Sequence, residues 1–227
     1  MAATARSGVS PGGETSRVAA AVGVLALQGD FEAHTKILRT LGVQAREVRV
    51  PADLDGLDGL IIPGGESTVI TLGIEREGLG EPLRALARSG TPVLGTCAGM
   101  IMLDRDHLGV LDIRAQRNAF GRQLRSFEAD LELAGIDDGP VHAVFIRAPW
   151  VAEHGSAVEV LARVEGHPVA VRQANVLAVA FHPELAGETR LHQLLLGING
   201  RAARRGSGLE PVAHGVLAHG SRLDELQ

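Results

Sequence analysis

The chain contains one cysteine, no tyrosine and few aromatic residues of any kind, and each scarcity excludes a class of protein. Its single thiol, Cys97, cannot form an intrachain disulfide or, from this chain alone, a thiolate zinc site. With aromatic residues at only 3%, the core must consist mainly of Val, Leu, Ile and Ala. Such a composition is typical of parallel strands that helices cover on both faces.

Basic clusters and long apolar runs are also missing. The net charge is −5, and no stripe of Lys and Arg predicts a nucleic-acid or membrane partner. No run reaches the roughly 18 apolar residues that span a bilayer. Residues 18–27 are apolar or Gly and follow Arg17, as in a short signal peptide, but no cleavage pattern comes after them. We therefore expect a cytoplasmic protein.

The length of 227 residues suffices for one domain with its own core. Residues 1–20 are rich in Ala, Ser, Thr, Gly and Arg without periodicity, which predicts a disordered N-terminal extension. Residues 206–227 predict a C-terminal extension of unknown order. The domain itself is expected at residues 21–205.

Strand and helix patterns alternate through the first half of this domain. Strand-like runs occupy residues 22–27, 44–50, 59–62 and 92–95, and helical patterns occupy 30–41, 79–88 and 98–103. Asp30 is a candidate N-cap for the first helix, which Gly42 ends. In the second half, strand-like runs at 126–133, 141–146, 158–164, 167–173 and 176–181 precede a helix at 188–203. We predict an α/β fold: a three-layer, doubly wound, mixed and mainly parallel sheet with an antiparallel extension.

Polar or Gly-rich turns follow four of these strands. In an open α/β sheet, ligands bind beyond the carboxyl ends of the strands, where turns distant in sequence meet. The only cysteine is among these turns, which predicts a functional site at this edge. The four turns are Gln28-Gly29, Pro63-Gly64-Gly65-Glu66-Ser67, Thr96-Cys97-Ala98-Gly99 and His182-Pro183-Glu184.

The segment around Cys97 has the form of a nucleophile elbow. A tight turn from strand to helix needs small residues two positions before and after the nucleophile, here Gly95 and Gly99. The turn projects the side chain above the sheet, and the dipole of the following helix favours the thiolate. A small buried cysteine in an ordinary turn is the alternative interpretation.

His182 and Glu184 stand two residues apart at a strand end, so their side chains project to the same side. The carboxylate could orient the imidazole, whose other nitrogen would face the thiol. One alternative is a metal pair, although no third ligand stands at a recognisable spacing. A surface histidine is the other alternative.

The turn that contains Gly64 and Gly65 could be mistaken for a phosphate loop. It lacks the Gly-Lys-Ser/Thr element, so a nucleotide site is not indicated. Two glycines after a strand leave backbone N–H groups free to point into a crevice. The N–H of Gly65, with that of Ala98, could hold a tetrahedral oxyanion.

Longer strings accompany these turns. They are Leu27-Gln28-Gly29 with Glu32 and His34, Arg117-Asn118-Ala119-Phe120-Gly121-Arg122-Gln123, Ser126-Phe127-Glu128 and Phe145-Ile146-Arg147-Ala148-Pro149. In this order, they make residues 22–196 resemble the class I (triad-type) glutamine amidotransferases. Within that family, the resemblance is to the glutaminase subunits of pyridoxal 5'-phosphate synthase. The segment 103–109 is shorter than usual for the family.

The resemblance implies hydrolysis of L-glutamine to L-glutamate and ammonia through a glutamyl thioester. Cys97 would be the nucleophile, His182 would move protons, and Glu184 would orient His182. An arginine such as Arg117 or Arg147 could bind the α-carboxylate of glutamine through charge-assisted hydrogen bonds. The alternative for either arginine is an ion pair at the protein surface. No cofactor and no metal is implied. The residues expected to bind glutamine are Gly64, Gly65, Glu66, Ser67, Arg117, Ile146 and Arg147.

The resemblance also implies a partner. Ammonia would pass to a TIM-barrel-type synthase subunit that makes pyridoxal 5'-phosphate, and Gln28 and Gly29 would couple the site to that partner. One alternative is the glutaminase subunit of another amidotransferase, for example in histidine biosynthesis. The others are a non-enzymatic binding module and a cysteine hydrolase of the related small α/β superfamily.

Overall fold

The computed structural model describes residues 20–120 and 126–205. The extensions expected at 1–20 and 206–227 lie outside these residues, apart from residue 20, and the domain limits stay a prediction. Within the described ranges, no helix has the length and apolar character needed to cross a membrane. The strands are β1 (Ala21–Leu25), β2 (Gln44–Val48), β3 (Gly59–Ile62), β4 (Val93–Thr96), β5 (Ile113–Gln116), β6 (Ser126–Leu131), β7 (Val141–Ile146), β8 (Trp150–His154), β9 (Glu159–Val164), β10 (His167–Gln173) and β11 (Val176–Val179). The helices are α1 (Phe31–Thr40), α2 (Ser67–Arg76), α3 (Gly80–Arg88), α4 (Ala98–Leu103) and α5 (Arg190–Arg205).

Seven strands form the central sheet, in the order β2-β1-β3-β4-β11-β10-β9. The strands from β2 to β11 pair in parallel, whereas β10 pairs antiparallel with both β11 and β9. Aliphatic strands of this kind are buried on both faces, and β1, β3, β4 and β11 are buried at every residue. The prediction of a mixed, mainly parallel sheet with an antiparallel extension is confirmed.

Helices cover both faces of this sheet. The chain moves one way along the sheet from β1 to β2 and the other way from β3 to β4. Right-handed crossovers therefore place α1 on one face and the helices after β3 on the opposite face. Helix α5 lies beside α1, since ring nitrogens of His34 and His192 are 2.9 Å apart, and α4 contacts α2. The three-layer arrangement follows.

Two short antiparallel pairs lie apart from the central sheet. β6 pairs with β7, and β5 pairs with β8. The backbone N–H of His182 donates to the carbonyl oxygen of Val144 in β7 at 2.8 Å. This bond places the β6–β7 hairpin beside the chain that leaves the carboxyl end of β11.

The sequence patterns miss α2, β5 and β8, and they predict the N-cap position of α1 but not the contact that its side chain makes. α2 begins directly after the glycine-rich turn, where the side chain of Glu66 caps it by accepting from the N–H of Thr68 at 3.1 Å. β5 and β8 are short strands that pair only with each other. Asp30 does precede α1, but its side chain makes no capping bond. Its carboxylate lies instead 3.9 Å from Nδ1 of His182.

All the aromatic residues except Phe31 gather where the hairpin meets the central sheet. Phe127 and Phe145 stack with ring centroids 4.4 Å apart, and Phe145 also contacts Phe181 at 5.5 Å. The rest of the core is almost wholly aliphatic, as the composition predicts. Because Phe181 directly precedes His182, aromatic packing anchors the strand end that carries the histidine.

Helix α4 crosses β3 so closely that Gly99 cannot carry a side chain. A Cβ there would lie 2.0 Å from the carbonyl oxygen of Ile62.

We predict that Gly99→Ala lowers the free energy of unfolding by about 1–3 kcal/mol, because the backbones must move apart. Gly197→Ala in α5 is the matched control, since nothing lies within 4 Å of an added Cβ. It is expected to raise that free energy by about 0.5–1 kcal/mol. Urea denaturation measures both, and a Gly99→Ala variant as stable as the wild type would contradict the close crossing.

Candidate active site

The carboxyl ends of β1, β3, β4 and β11 meet at a crevice of about 310 Å³. Most residues that the sequence indicates for the site line it, which brings together segments far apart in the chain. Gly64 and Glu184 lie behind the lining. The lining residues that the sequence does not indicate are Asp30, Ile101, Asn118 and Pro149.

Cys97 stands at the sharp turn from β4 into α4, with φ 47° and ψ −106°. A positive φ strains a residue that has a side chain. Glycines make the turn possible, because a Cβ on Gly95 would lie 2.7 Å from the carbonyl oxygen of Gly99. Cys97 is 7% exposed, and its sulfur lies 3.9 Å from the carbonyl oxygen of Ile146. The thiol is thus at the crevice wall while its backbone belongs to the core.

His182 and Glu184 form a buried pair. Nδ1 of His182 lies 2.6 Å from Oε1 of Glu184, and the two residues are 5% and 6% exposed. Burial lowers the pKa of His182, but the hydrogen bonds and charges of Cys97 and Glu184 outweigh burial and raise the pKa to about 10. The imidazole therefore carries a proton at neutral pH and lies in contact with both a thiol and a carboxylate.

The glycine-rich turn after β3 packs tightly against residues 28 and 29. The backbone N–H of Glu66 donates to Oε1 of Gln28 at 2.6 Å. A Cβ on Gly29 would lie 1.8 Å from the carbonyl oxygen of Gly64. A Cβ on Gly64 would meet Cε1 of His182 at 2.4 Å. Because no side chain separates these segments, a shift of residues 28 and 29 must shift the turn as well.

Gly65 and Ala98, the two expected oxyanion donors, both line the crevice. The N–H of Ala98 belongs to the first turn of α4, so no carbonyl group within the helix can accept from it. Gly65 lies in the turn that Gln28 holds. The placement of both residues suits a site for a developing negative charge.

Two arginines line the crevice, and neither forms an ion pair with a carboxylate of the described residues. Arg117 donates to Oγ1 of Thr68 at 3.3 Å and to Nε2 of His107 at 3.4 Å. Arg147 has φ 46°, and Asn118, beside Arg117, has φ 47°. A positive φ strains Arg147, whereas an asparagine tolerates this conformation. Residues 121–123 of the Arg117 string lie outside the described residues.

The short segment 103–109 folds around the buried carboxylate of Asp104, which is 1% exposed. Oδ1 of Asp104 lies 2.7 Å from Nδ1 of His107, and Oδ2 accepts from the N–H of Ala115 at 3.2 Å. Since Nδ1 of His107 donates to Asp104, Nε2 is the acceptor that Arg117 needs. The segment therefore supports an arginine of the crevice.

A row of buried polar side chains lies behind Glu184. Nε2 of His34 lies 3.3 Å from Oε2 of Glu184, and Nδ1 of His34 lies 2.9 Å from Nε2 of His192. Nε2 of His34 also lies 3.2 Å from Oγ1 of Thr96, which accepts from the N–H of Gly64. Burial lowers the pKa of His34 well below its usual range and that of His192 to about 4. Both rings are therefore uncharged at neutral pH.

Asp30, His182 and Glu184 could each offer one ligand atom to a cation, because these atoms lie within 4.8 Å of one another. The atom of His182 is Nδ1, which bonds to Glu184. A cation there would have to replace the proton of that bond. The arrangement favours proton transfer over metal binding.

Comparison with known proteins gives matches in sequence. The SNO glutamine amidotransferase family matches residues 24–198. A protein of Frankia alni, named pyridoxal 5'-phosphate synthase subunit PdxT, is 54% identical over 186 residues, which cover 78% of this chain and 94% of that protein. A protein of the same name from Mycolicibacterium vanbaalenii is 53% identical over 187 residues, which cover 77% and 95%.

Solved structures match the fold as well. A crystal structure of a glutamine amidotransferase has a TM-score of 0.74 and 48% identity, and the match covers 79% of this chain and 98% of that one. A GMP synthase subunit from Thermoplasma acidophilum has a TM-score of 0.64 over 85% of this chain and 100% of its own. At 17% identity, the second match shows a common fold alone.

The proton on His182 depends on its two neighbours. We predict that the wild-type ring stays protonated up to about pH 10. Glu184→Gln should lower the pKa by about one unit or more, because the charge of the carboxylate is lost. In Cys97→Ala/Glu184→Gln both groups that raise the pKa are lost while burial remains, so the pKa should fall further than in Glu184→Gln. NMR titration of the ring measures these values, with exposed His154 as internal reference. A titration of His182 that Glu184→Gln leaves unchanged would contradict the pairing.

Proposed function

The chain belongs to the SNO glutamine amidotransferase family, and on that basis we propose that it hydrolyses L-glutamine as the glutaminase subunit of pyridoxal 5'-phosphate synthase. The observation that carries the proposal is the imidazole of His182, which lines the crevice together with Cys97 and lies 2.6 Å from the buried carboxylate of Glu184. The named relatives, 53% and 54% identical, favour this synthase over other amidotransferases.

In the first half-reaction, the sulfur of Cys97 attacks the side-chain carbonyl carbon of glutamine and forms a C–S bond. The carbonyl oxygen takes the negative charge, which the N–H groups of Gly65 and Ala98 would stabilise. His182 gives its proton to the nitrogen as the C–N bond breaks. Ammonia leaves, and a glutamyl thioester remains.

In the second half-reaction, His182 changes from acid to base. Thioester formation removes the charge of the Cys97 thiolate, which is one of the influences that raise the pKa of His182. The neutral imidazole takes a proton from water, whose oxygen attacks the thioester carbon. The C–S bond breaks, glutamate leaves, and the thiolate and the protonated imidazole are restored. Glu184 orients the ring throughout.

Glutamine carries an α-carboxylate, which needs a cation in the crevice. Arg117 and Arg147 provide two positive charges that no carboxylate of the described chain neutralises. Thr68 and His107 hold Arg117 in place. The rest of the proposed glutamine site consists of Gly64, Gly65, Glu66, Ser67 and Ile146.

The proposed acceptor of the ammonia is a TIM-barrel-type synthase subunit that works with this chain in the cytoplasm. Ammonia released into water would be protonated and lose its nucleophilicity, so a closed passage between the subunits is required. Gln28 and Gly29 are the proposed coupling residues, because they pack directly on the turn that holds Gly65. A partner that shifts them would move an oxyanion donor.

A glutamine analogue with an electrophilic diazoketone should label Cys97, the only thiol of the chain. We predict that Cys97→Ala abolishes the labelling and lowers glutamine hydrolysis by about 10³-fold or more, because no other nucleophile can form the thioester. Mass spectrometry of the peptides locates the label, and release of glutamate measures hydrolysis. Glu81→Gln, at the exposed start of α3, is the control. Undiminished hydrolysis by Cys97→Ala would contradict the nucleophilic role of Cys97, whereas a wild-type complex that hydrolyses no glutamine would favour the binding-module alternative.

Activation by the partner tests the choice of synthase. We predict slow hydrolysis by the isolated chain and a rate roughly tenfold or more higher with the pyridoxal 5'-phosphate synthase subunit, since docking completes the oxyanion site. Gln28→Ala should reduce this activation. The synthase subunit of histidine biosynthesis is the control partner. Activation by that subunit alone would contradict the proposed assignment.

A further inference from the structure

Oε2 of Glu184 is a buried carboxylate oxygen that lacks a hydrogen bond within the described residues. Its companion, Oε1, binds His182 at 2.6 Å. An ionised oxygen without a donor is costly away from water, so Oε2 requires a donor nearby. Nε2 of His34 lies 3.3 Å from it.

We propose that His34 is a positioning residue, whose Nε2–H serves Oε2 of Glu184 and so holds the carboxylate that orients His182. The inference rests on the proposed function and deepens it. His34 does not line the crevice. It would act on the reaction only through Glu184, and it comes from α1 and lies near the carboxylate oxygen that His182 does not bind.

The proposal determines where each proton of the row lies. If Nε2 of His34 carries the proton, Nδ1 is an acceptor, and Nε2–H of His192 donates to it across 2.9 Å. Nδ1 of His192 then carries no proton and is an acceptor. This atom has no hydrogen-bond partner among the described residues. Oγ1 of Thr96, at 3.2 Å, shares the His34 proton with Glu184.

In the alternative arrangement, both histidines carry their ring proton on Nδ1 and none on Nε2. Nδ1–H of His192 would point to the backbone of Glu188, which does contact this ring, and Nδ1–H of His34 would point to His192. A bare lone pair on Nε2 of His34 would then face the negative Oε2 of Glu184 at 3.3 Å. A buried charged acceptor without a hydrogen bond costs more free energy than a buried neutral one. The charge of Glu184 therefore favours the arrangement in which Nε2 of His34 carries the proton.

Burial keeps His34 neutral. Its burial, with His192 and His182 close by, lowers its pKa well below the usual range. His34 can therefore offer an N–H dipole to Glu184 without adding a second positive charge beside His182. The titratable groups that face the row from the surrounding segments are Asp30, Cys97, His182, Glu184 and Glu188.

The kinetic test uses the full chain in complex with the synthase subunit. In His34→Leu, kcat for glutamine hydrolysis should fall about tenfold or more, while KM stays within about twofold because His34 does not touch the substrate. Without its donor, the carboxylate holds the proton of His182 more strongly, and His182 must lose that proton to act as the base. The acid limb of the kcat–pH profile should therefore move up by about one pH unit.

Two variants separate positioning from packing. His34→Gln keeps an N–H donor, and it should restore most of kcat and return the acid limb toward the wild-type pH. Thr35→Val is the matched control, since Thr35 is the next buried residue of α1 and its hydroxyl has no hydrogen-bond partner among the described residues. It should leave kcat and the pH profile unchanged. An acid limb that stays in place in His34→Leu, or a His34→Gln as slow as His34→Leu, would overturn the proposal.

A measurement on the wild-type chain tests the proton order without relying on activity. Two-dimensional ¹H–¹⁵N NMR of the labelled histidine rings should show His34 and His192 as neutral Nε2–H tautomers at pH 7. A Nδ1–H tautomer at His34 would overturn the proposal. If the wild-type complex does not hydrolyse glutamine, the proposed function fails, and the tautomer still decides whether His34 serves Glu184.

Discussion

The left-handed backbone of Cys97 is the constraint on which the rest of the site depends. Such a conformation costs of order 1–3 kcal/mol and persists only where its surroundings impose it. Here the Cys97 N–H continues the sheet by donating to Val179 at 2.8 Å, and Gly99 lets α4 start against the carbonyl group of Ile62. The turn is therefore as rigid as the core, although its side chain reaches the crevice.

The position of His182 is determined from several directions at once. Its backbone N–H binds β7, its ring lies over Gly64, and its Nδ1 binds Glu184. The hairpin that receives the N–H also carries Ile146, whose carbonyl oxygen is near the thiol. Imidazole and thiol thus belong to one packed unit. In such a unit, hydrogen bonds and charge can outweigh burial and keep the ring protonated.

Sequence reasoning recovered those parts of the fold that depend on local pattern. The limits of β3, α4, β7 and β10 agree with the expected ranges. Short aliphatic runs bounded by Gly, Pro and Asp leave few other positions at which a strand or helix can begin and end. The pattern does not indicate α2, because the helix starts within the glycine-rich turn and is rich in β-branched residues, which are weak helix formers. β5 and β8 were missed because two short strands that pair only with each other leave little periodicity.

For the site, the residues at strand ends were accessible from sequence, since parallel strands place their carboxyl ends at one edge. Asp30 occupies the predicted N-cap position, but its carboxylate lies near His182 and does not cap the helix, and that nearness depends on the tertiary structure. Arg117 was indicated by its motif. Its support by His107 and Asp104 was not, because that contact depends on how a short turn folds.

The sequence by itself determined the alternation of strands and helices, the elbow at Cys97 and the polar turns that converge on it. Each of these follows from steric rules that act over a few residues. Only the tertiary structure decided what lies behind Glu184. His34 and His192 are 158 residues apart, and nothing local distinguishes either ring from an ordinary buried histidine. They meet because α1 and α5 pack on the same face of the sheet, and that packing depends on the whole core.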